Sequence, residues 1–323
     1  MRYRTIPRTD IKVSAICLGT PEINAGIDLA TSHRLLDRFV ELGGNFLDTA
    51  HVYSDWIKGT KSTSEKALGA WMKDRGNRAR MVIGTKGAHP RLGSMAKSRV
   101  NREDIALDIQ EALEFLQTDH IDLFYLHRDD PNVPVGEILG ILNEHVAAGS
   151  IRSFGCSNWR EHRIAEAHAY AQQHNLRPFS AVQNLWSLAH ADMRWHRDTT
   201  MFEMDESIIH LCRTANIAAI PFSSQAGGFF TKHALAGQTQ YDPTRKGTFE
   251  CAINYARLRA AVRIARQLSM SVTAVALAYL TSQPFCAIPA IGAKKLEHLE
   301  DSLSAGDLVL TPELVAQLER GDG

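Results

Sequence analysis

The chain has 323 residues, of which 44% are hydrophobic and 22% charged, and its 36 basic and 36 acidic residues give a formal net charge of zero. This balance gives no reason to expect a nucleic acid or an anionic membrane as partner. No run of about 18 apolar residues occurs, so no membrane-spanning segment is predicted, and the polar first residues lack the apolar stretch of a signal peptide. The five cysteines form no CxxC pair, which indicates reduced thiols and a cytoplasmic location.

Eight short apolar runs recur along the chain, and amphipathic stretches lie between them. Their near-continuous hydrophobicity is typical of strands that are buried on both faces of a parallel sheet. The predicted strands are Ala15–Thr20, Asn45–Thr49, Met81–Lys86, Ile121–His127, Ile151–Ser157, Ala181–Asn184, Ala218–Ser223 and Cys286–Ile291. Spacing of 3.6 residues predicts helices over Ser32–Leu42, Arg102–Leu116, Val135–Ala148, Glu161–Gln173, Asp205–Ala215 and Tyr255–Leu268.

The alternation of strands and helices predicts an α/β protein with parallel strands, and eight such units are the number that closes a (β/α)8 TIM barrel. We predict a single domain over residues 1–323. The segments Arg2–Ile6 and Ile11–Ser14 are predicted to form an N-terminal β-hairpin that closes the barrel floor, and Pro312–Leu318 a terminal helix outside the barrel. The structural rival is an open doubly wound sheet, which a GxGxxG motif after the first strand would usually mark; none is present.

Polar residues stand at the end of strand after strand. In a parallel barrel these ends meet at one mouth, where such enzymes carry their active sites. The residues are Asp48, Lys86, His127, Asn158, Gln183 and Ser223.

Four residues at this mouth are the types that carbonyl reduction requires. A hydride donor needs a proton donor beside it, and a tyrosine such as Tyr53 is a poor acid, with a free pKa of about 10. We expect Lys86 to lower that pKa, Asp48 to keep Lys86 charged and aimed, and a neutral His127 to orient the substrate oxygen. HExxH, CxxC and EF-hand patterns are all missing, so no metal is predicted. The segment Gly155–Trp159 only approaches the GxSxG pattern of serine hydrolases.

The segment Asp48–Tyr53 (DTAHVY) resembles the DTAxxY motif of the aldo-keto reductases. Thr85–Lys86, Leu126–His127, Ser157–Asn158 and Gln183–Asn184 follow in the order that the family shows, so the resemblance extends from about Thr5 to Leu303. It implies that Tyr53 is the general acid, with Asp48, Lys86 and His127 around it. It further implies nicotinamide contacts from the residues Gly19, Thr20, Asp48, Ser157, Asn158, Gln183 and Phe222, the last in place of the usual stacking tyrosine.

The same resemblance extends to the rest of a dinucleotide. The loop Ser223–Lys232 resembles the family's pyrophosphate loop, with Ser-Gln in place of Pro-Leu and one glycine fewer. The segment Gly292–Ser302 resembles the adenosine-binding segment, and Lys294 stands where a basic residue meets a 2′-phosphate, which favours NADPH over NADH. The implied contacts are Ser223, Gln225, Ala226, Gly228, Gly292, Lys294, His298 and Asp301.

The loops around the mouth are expected to bind a small-molecule carbonyl substrate. The predicted substrate contacts are Tyr53, Trp56, His127, Arg128, Trp159 and Trp186, whereas Trp71 is predicted to pack a helix. Aromatic rings beside charged donors favour a sugar or keto-sugar. Two alternatives stay open: an NADP(H)-binding regulatory subunit with little turnover, and a sugar or alcohol dehydrogenase that works in the oxidative direction. The sequence does not indicate an oligomeric state.

Overall fold

Eight parallel strands form the centre of the molecule in a computed structural model that describes residues 1–57 and 60–322. Each strand overlaps one of the predicted apolar runs. They are β3 (Cys17–Gly19), β4 (Phe46–Asp48), β5 (Val82–Gly87), β6 (Ile121–Leu126), β7 (Ile151–Ser157), β8 (Ala181–Gln183), β9 (Ala218–Ala219) and β10 (Ala290–Ile291).

The ring of strands closes where the end of the chain returns to its beginning. The strand β10 pairs in parallel with β3, and the segment just before β10 bonds to β9: the Ala219 amide donates to the Cys286 carbonyl at 2.8 Å, and the Ile288 amide donates to the Ala219 carbonyl at 2.8 Å. An open sheet would leave β9 with an unpaired edge. The predicted (β/α)8 barrel is therefore confirmed.

A β-hairpin closes the amino-terminal end of the barrel, as predicted. Its strands β1 (Tyr3–Thr5) and β2 (Lys12–Ser14) pair antiparallel. The connecting residues Ile6 and Ile11 are buried in an inner apolar cluster together with residues of the barrel strands such as Phe46 and Leu123. A second and larger apolar cluster lies between the barrel wall and the surrounding helices. The hairpin thus fills the floor, and the opposite end of the barrel is the mouth.

Eleven α-helices are present in the described residues, and the six amphipathic helices predicted from the sequence are among them. They are α1 (Leu29–Glu41), α2 (Thr63–Arg75), α3 (Arg102–Leu116), α4 (Val135–Ala147), α5 (Glu161–Gln173), α6 (Glu206–Thr214), α7 (Phe229–Leu235), α8 (Ala252–Leu268), α9 (Val272–Thr281), α10 (Leu296–Leu303) and α11 (Pro312–Arg320). None of the helices within residues 1–57 and 60–322 is both long and apolar enough to cross a membrane.

The helices α2 and α9 have no amphipathic pattern in the sequence. Every residue of α9 after Val272 is buried, so this helix has no polar face to give it a period. In α2 the buried side includes the polar residues Ser64 and Glu65, which hides the period in the same way. The helix α2 also packs very close to α3, since a Cβ atom added at Gly69 would lie 2.1 Å from the Phe115 carbonyl oxygen.

Candidate active site

The ammonium group of Lys86 is the centre of a buried polar cluster at the mouth of the barrel. Its Nζ donates to Asp48 Oδ2 at 2.7 Å, to the Thr49 carbonyl at 2.8 Å and to the Tyr53 hydroxyl at 3.0 Å. Three acceptors match the three hydrogens of an ammonium group. The Lys86 side chain has 1% of its surface exposed and that of Asp48 has 3%. Burial lowers the pKa of Lys86, but the charges and hydrogen bonds of Asp48 and Tyr53 together outweigh burial and hold this pKa above its usual value. Lys86 therefore stays charged.

The Tyr53 hydroxyl faces the mouth from the loop that follows β4. Burial raises the pKa of Tyr53 and Lys86 lowers it, and burial prevails, so this pKa lies above its ordinary value of about 10. Lys86 thus acts on this pKa in the expected direction, but burial has the larger effect. The phenol is neutral at physiological pH and can donate its proton.

The His127 ring lies beside Tyr53, directly after β6. The centroids of the two rings are 6.0 Å apart, and a second imidazole, that of His89, lies 4.8 Å from His127. Burial lowers the pKa of His127 well below its usual value, and the charges of Arg128 and Lys86 act in the same direction. His127 is thus a neutral imidazole, as expected, with one donor and one acceptor nitrogen.

The side chain of Gln183 connects the carboxylate to the next part of the site. Its Nε2 donates to Asp48 Oδ1 at 2.9 Å, whereas its Oε1 is buried and has no hydrogen-bond partner in the described residues. An unpaired buried acceptor is costly and calls for a ligand donor. Beside it, the Ser157 hydroxyl donates to the Gln183 carbonyl, and Asn158 Nδ2 donates to Ser157 Oγ at 3.0 Å. A primary carboxamide would satisfy the free oxygen of Gln183.

A cavity of about 250 Å³ brings most of the predicted nicotinamide and catalytic residues together. Its wall also includes Pro21, Met201 and Ile291, which the sequence patterns did not single out. The predicted residues on this wall are Gly19, Asp48, Tyr53, Lys86, His127, Arg128, Ser157, Asn158, Gln183, Phe222, Ser223 and Gly292.

A larger cleft of about 830 Å³ shares Gly19, Pro21, Ser223 and Gly292 with this cavity, so the two are continuous. The backbone of its loop is left-handed at Gly227 and Gly228, and the absence of side chains there lets a ligand approach the backbone closely. Its wall includes predicted cofactor residues, namely Gln225, Gly228, Lys294, His298 and Asp301, together with Lys232 and Lys295. A cleft of this volume, with Lys232, Lys294, Lys295 and His298 on its wall, suits the phosphates of a dinucleotide.

Three predicted cofactor contacts have other partners. Gln225 uses its side chain to connect two segments, since its Nε2 donates to Ser302 Oγ at 3.0 Å and its Oε1 accepts from the Gly292 amide at 2.9 Å. The Thr20 side chain is buried behind the wall, where its hydroxyl bonds the Asp48 carbonyl at 2.9 Å. Ala226 is 2% exposed and absent from both walls. Thr20 and Ala226 thus support the site from behind, and this corrects their prediction as contacts.

Two of the three tryptophans predicted at the substrate pocket lie elsewhere. Trp159 is fully buried against Phe179, with ring centroids 5.1 Å apart, and Trp186 stacks on Phe285 at 6.1 Å. Both face the outer apolar cluster, so their prediction as substrate contacts is corrected. Trp56 is 57% exposed, and its ring meets Tyr53 edge-on at 6.3 Å.

The remaining predicted contact, Arg128, lines the cavity and is held from three sides. Its guanidinium donates to the His127 carbonyl, to Thr200 Oγ1 and to Asp198 Oδ2 at 2.8–2.9 Å. The segment around Asp198, in the long stretch between β8 and α6, therefore covers the cavity. His89 and Met201 were missed because neither stands at a strand end. Trp71 bonds Asp37 at 2.8 Å and packs a helix, as predicted.

Comparison with known proteins identifies the family. The model of the aldo/keto reductase family matches residues 15–322, and the chain belongs to this family. It is 30% identical over 336 residues to an aryl-alcohol dehydrogenase of Pestalotiopsis microspora, covering 99% of this chain and 82% of that protein. It is 29% identical over 341 residues to an aryl-alcohol dehydrogenase [NADP(+)] of Phanerodontia chrysosporium, covering 97% of this chain and 83% of that protein.

A solved structure supports the fold independently. It is a thermostable aldo-keto reductase in complex with the inhibitor epalrestat, with a TM-score of 0.74, 22% sequence identity, and coverage of 99% of this chain and 100% of that one. The chain is thus an oxidoreductase that depends on a nicotinamide cofactor and acts on carbonyl groups, as its family does.

Proposed function

We propose that the protein uses NADPH to reduce an aromatic aldehyde or ketone to the alcohol, with Tyr53 as the proton donor. The observation that carries the proposal is the bond of Lys86 to both Asp48 and the Tyr53 hydroxyl, at 2.7 and 3.0 Å. A buried cation held beside a neutral phenol serves no evident purpose in a module that only binds a nucleotide.

The bound nicotinamide would supply the hydride. Gln183 and Asn158 would hold its carboxamide, and the Phe222 ring would lie against its face. Tyr53 would then donate its proton to the substrate oxygen as negative charge develops there, and the ammonium of Lys86 would stabilise the phenolate that remains. His127, being neutral, would donate a hydrogen bond to the same oxygen and hold it 2.6–3.2 Å from its donors, the usual range for such bonds.

The preference for NADPH rests on the basic residues of the large cleft. Lys294 pairs with Glu22 across the cleft at 3.4 Å, and its side chain is 62% exposed. An exposed surface pair is weak, so a doubly charged 2′-phosphate would readily take the place of Glu22. His298 and Lys295 lie on the same wall. The name of the Phanerodontia chrysosporium relative includes NADP(+), which supports the same choice.

An aromatic substrate is supported by two observations. The exposed ring of Trp56 stands at the rim beside Tyr53, and Met201 adds an adaptable apolar wall. Both relatives described above are named for aryl alcohols. Because Trp159 and Trp186 do not line the cavity, only Arg128 and the residues around it still favour a sugar substrate. The cytoplasmic location stays a prediction.

The direct test is NADPH titration followed by turnover measurements. Protein fluorescence would give the dissociation constants for NADPH and NADH, and loss of nicotinamide absorbance would follow a panel of benzaldehydes, aryl ketones, sugars and aliphatic aldehydes. Turnover of aryl carbonyls is the expected result. Tight NADPH binding without turnover of any panel member would favour the regulatory subunit, and turnover confined to sugars would contradict the aromatic substrate.

The variant Tyr53→Phe separates catalysis from binding. The phenol acts only on the transition state, so kcat should fall by at least about 100-fold, the usual contribution of a general acid, while the Kd for NADPH changes by no more than about threefold. Equal activity of this variant and the parent protein would show that Tyr53 is not the acid.

A further inference from the structure

We propose that His51 is a positioning residue for Tyr53: a doubly protonated imidazolium, held between Glu65 and Glu111, that fixes the loop carrying Tyr53 against β5. This inference rests on the role of Tyr53 in the proposed function. His51 lies two residues before Tyr53, and its ring faces away from the cavity, toward α2 and α3.

The backbone shows why this residue bears on Tyr53. The Thr49 amide donates to the Gly84 carbonyl at 2.8 Å and the His51 amide donates to the Lys86 carbonyl at 2.9 Å, so the chain follows β5 beyond the end of β4. The Tyr53 amide then turns back to the Ala50 carbonyl at 3.0 Å. His51 is therefore the last residue bonded to β5 before the turn that presents the phenol.

Both ring nitrogens of His51 face carboxylates. Nδ1 lies 3.0 Å from Glu65 Oε2, and Nε2 lies 2.9 Å from Glu111 Oε2. A neutral imidazole has a single N–H, and its other nitrogen would turn a lone pair toward a carboxylate oxygen. Only the imidazolium donates to both. The Phe115 ring, nearly parallel at a centroid distance of 5.9 Å, holds the plane of the imidazole.

The two carboxylates are themselves fixed. Glu65 is fully buried in α2, and its second oxygen accepts from the Thr85 hydroxyl at 2.6 Å, one residue before Lys86. Glu111, on α3, also accepts from Lys61 Nζ at 2.7 Å. His51 thus joins α2, α3 and β5 immediately behind the cluster of Lys86.

A protonated His51 ring adds a positive charge beside the carboxylates that surround it. A third carboxylate, Asp108, lies 3.9 Å from Nε2, pairs with Arg99 at 2.6 Å and accepts from the Ala88 amide. Three carboxylates then face three cations. A divalent metal at this cluster would have to displace two cations that already bind its carboxylates. Two further charges lie nearby: Lys66, whose Nζ is 4.5 Å from the Phe115 centroid, and Asp104, which pairs with Arg99 at 2.9 Å. The three carboxylates are those of Glu65, Asp108 and Glu111, and the three cations are His51, Arg99 and Lys61.

The same surroundings set the direction of a pH effect. Burial lowers the pKa of His51, whereas the hydrogen bond and charge of Glu65 and the charges of Asp108 and Glu111 raise it and prevail. The raised pKa means that the imidazolium contacts are present below the usual value of about 6.5 and are lost as pH rises through the higher folded value. Above it one of the two bonds is lost and the Tyr53 loop is freed.

The test compares His51→Gln with the matched control His120→Gln. His120 also lies beside a carboxylate, Asp119, at 2.6 Å, but it precedes β6 at the floor end of the barrel. Because a misplacement of about 1 Å at a reacting group costs on the order of 100-fold, we expect kcat of His51→Gln to fall about 10- to 100-fold, while the Kd for NADPH stays within about threefold. The control should match the parent in both. Unchanged kcat in His51→Gln overturns the positioning role and leaves the proposed function intact. If the parent itself turns over no carbonyl, the proposed function fails and the positioning role falls with it.

A second variant and a spectroscopic measurement guard against misfolding. Glu111→Gln, on a partly exposed residue, keeps an acceptor but removes a charge, so the alkaline fall in kcat should move to lower pH than in the parent. The nitrogen NMR spectrum of labelled histidine, assigned by the absence of signals in His51→Gln, should show both His51 nitrogens protonated at pH 7. A neutral His51 ring would contradict the proposal, as would a loss of activity on chelation that zinc restores.

Discussion

Replacement of Lys86 by methionine tests the physical account of the cluster at the mouth. The side chain volumes are similar, but the variant loses the charge that Asp48 pairs with. Asp48 Oδ2 and the Thr49 carbonyl each lose the hydrogen bond that Lys86 Nζ donates to them. Each buried acceptor left without a donor costs about 1–3 kcal/mol. The Tyr53 hydroxyl loses the same partner but stands at the mouth, where water can replace it. The sum agrees with the about 3–5 kcal/mol that breaking a buried ion pair costs.

The measurement is denaturant-induced unfolding, followed by tryptophan fluorescence, of Lys86→Met and of the double variant with Asp48→Asn. The double variant removes both charges, so it should regain a large part of the lost free energy of unfolding. Lys295→Met is the control, because its side chain is 65% exposed and its pairing with Glu297 is long, at 3.8 Å. Surface pairs contribute at most about 1 kcal/mol. A cost below about 1 kcal/mol for Lys86→Met would refute the reasoning from burial.

Three further predictions follow from the fold and the cleft. Gly69→Ala should lower the free energy of unfolding by more than about 1 kcal/mol, because its Cβ would lie 2.1 Å from the Phe115 carbonyl oxygen. Gly140→Ala should raise the free energy of unfolding by about 0.5–1 kcal/mol, because Gly140 is inside α4 and its Cβ would have no atom within 4 Å. Denaturant-induced unfolding of both variants measures these changes. Lys294→Ala should raise the Kd for NADPH about 5-fold or more and leave that for NADH unchanged, as measured by fluorescence titration; equal effects on both would remove Lys294 from the 2′-phosphate. The pKa of Tyr53 is raised, so its proton should stay bound up to a pH above about 10. In a pH profile of kcat for His51→Gln, which lacks the titration of His51, the fall that deprotonation of Tyr53 causes should therefore lie above about pH 10. A fall that begins below about pH 9 would contradict the dominance of burial.

The sequence predicted that Asp48, Lys86 and His127 would lie together because each stands at or next to a strand end. Asp48 and Lys86 stand at the ends of apolar runs that are typical of parallel strands, and parallel strands place their carboxyl ends together. The closed barrel follows for the same reason, since eight alternating units have few other ways to bury strands on both faces.

Side-chain direction in loops and helices could not be predicted in this way. Trp159 follows a strand end directly, yet its backbone turns at Asn158, where φ is +60°, and the ring enters the outer cluster. His51 and Glu65 become informative only when α2 and α3 are packed side by side, because their pairing joins positions 14 residues apart through tertiary contact. Buried charged residues that pair with one another through tertiary contacts leave no periodic pattern in the sequence.

The wall of the barrel separates two apolar clusters, and this division bears on how such a protein can change over evolutionary time. The inner cluster, which the hairpin closes from below, ends under the site with residues such as Tyr125, whereas Trp56 and Met201 stand on loops above it. Substitutions in the loops can therefore change which carbonyl compounds bind, while the inner apolar cluster that supports the reacting groups stays the same. A combinatorial library limited to the rim would keep most of its members folded, and the diversity it yields would lie in substrate choice.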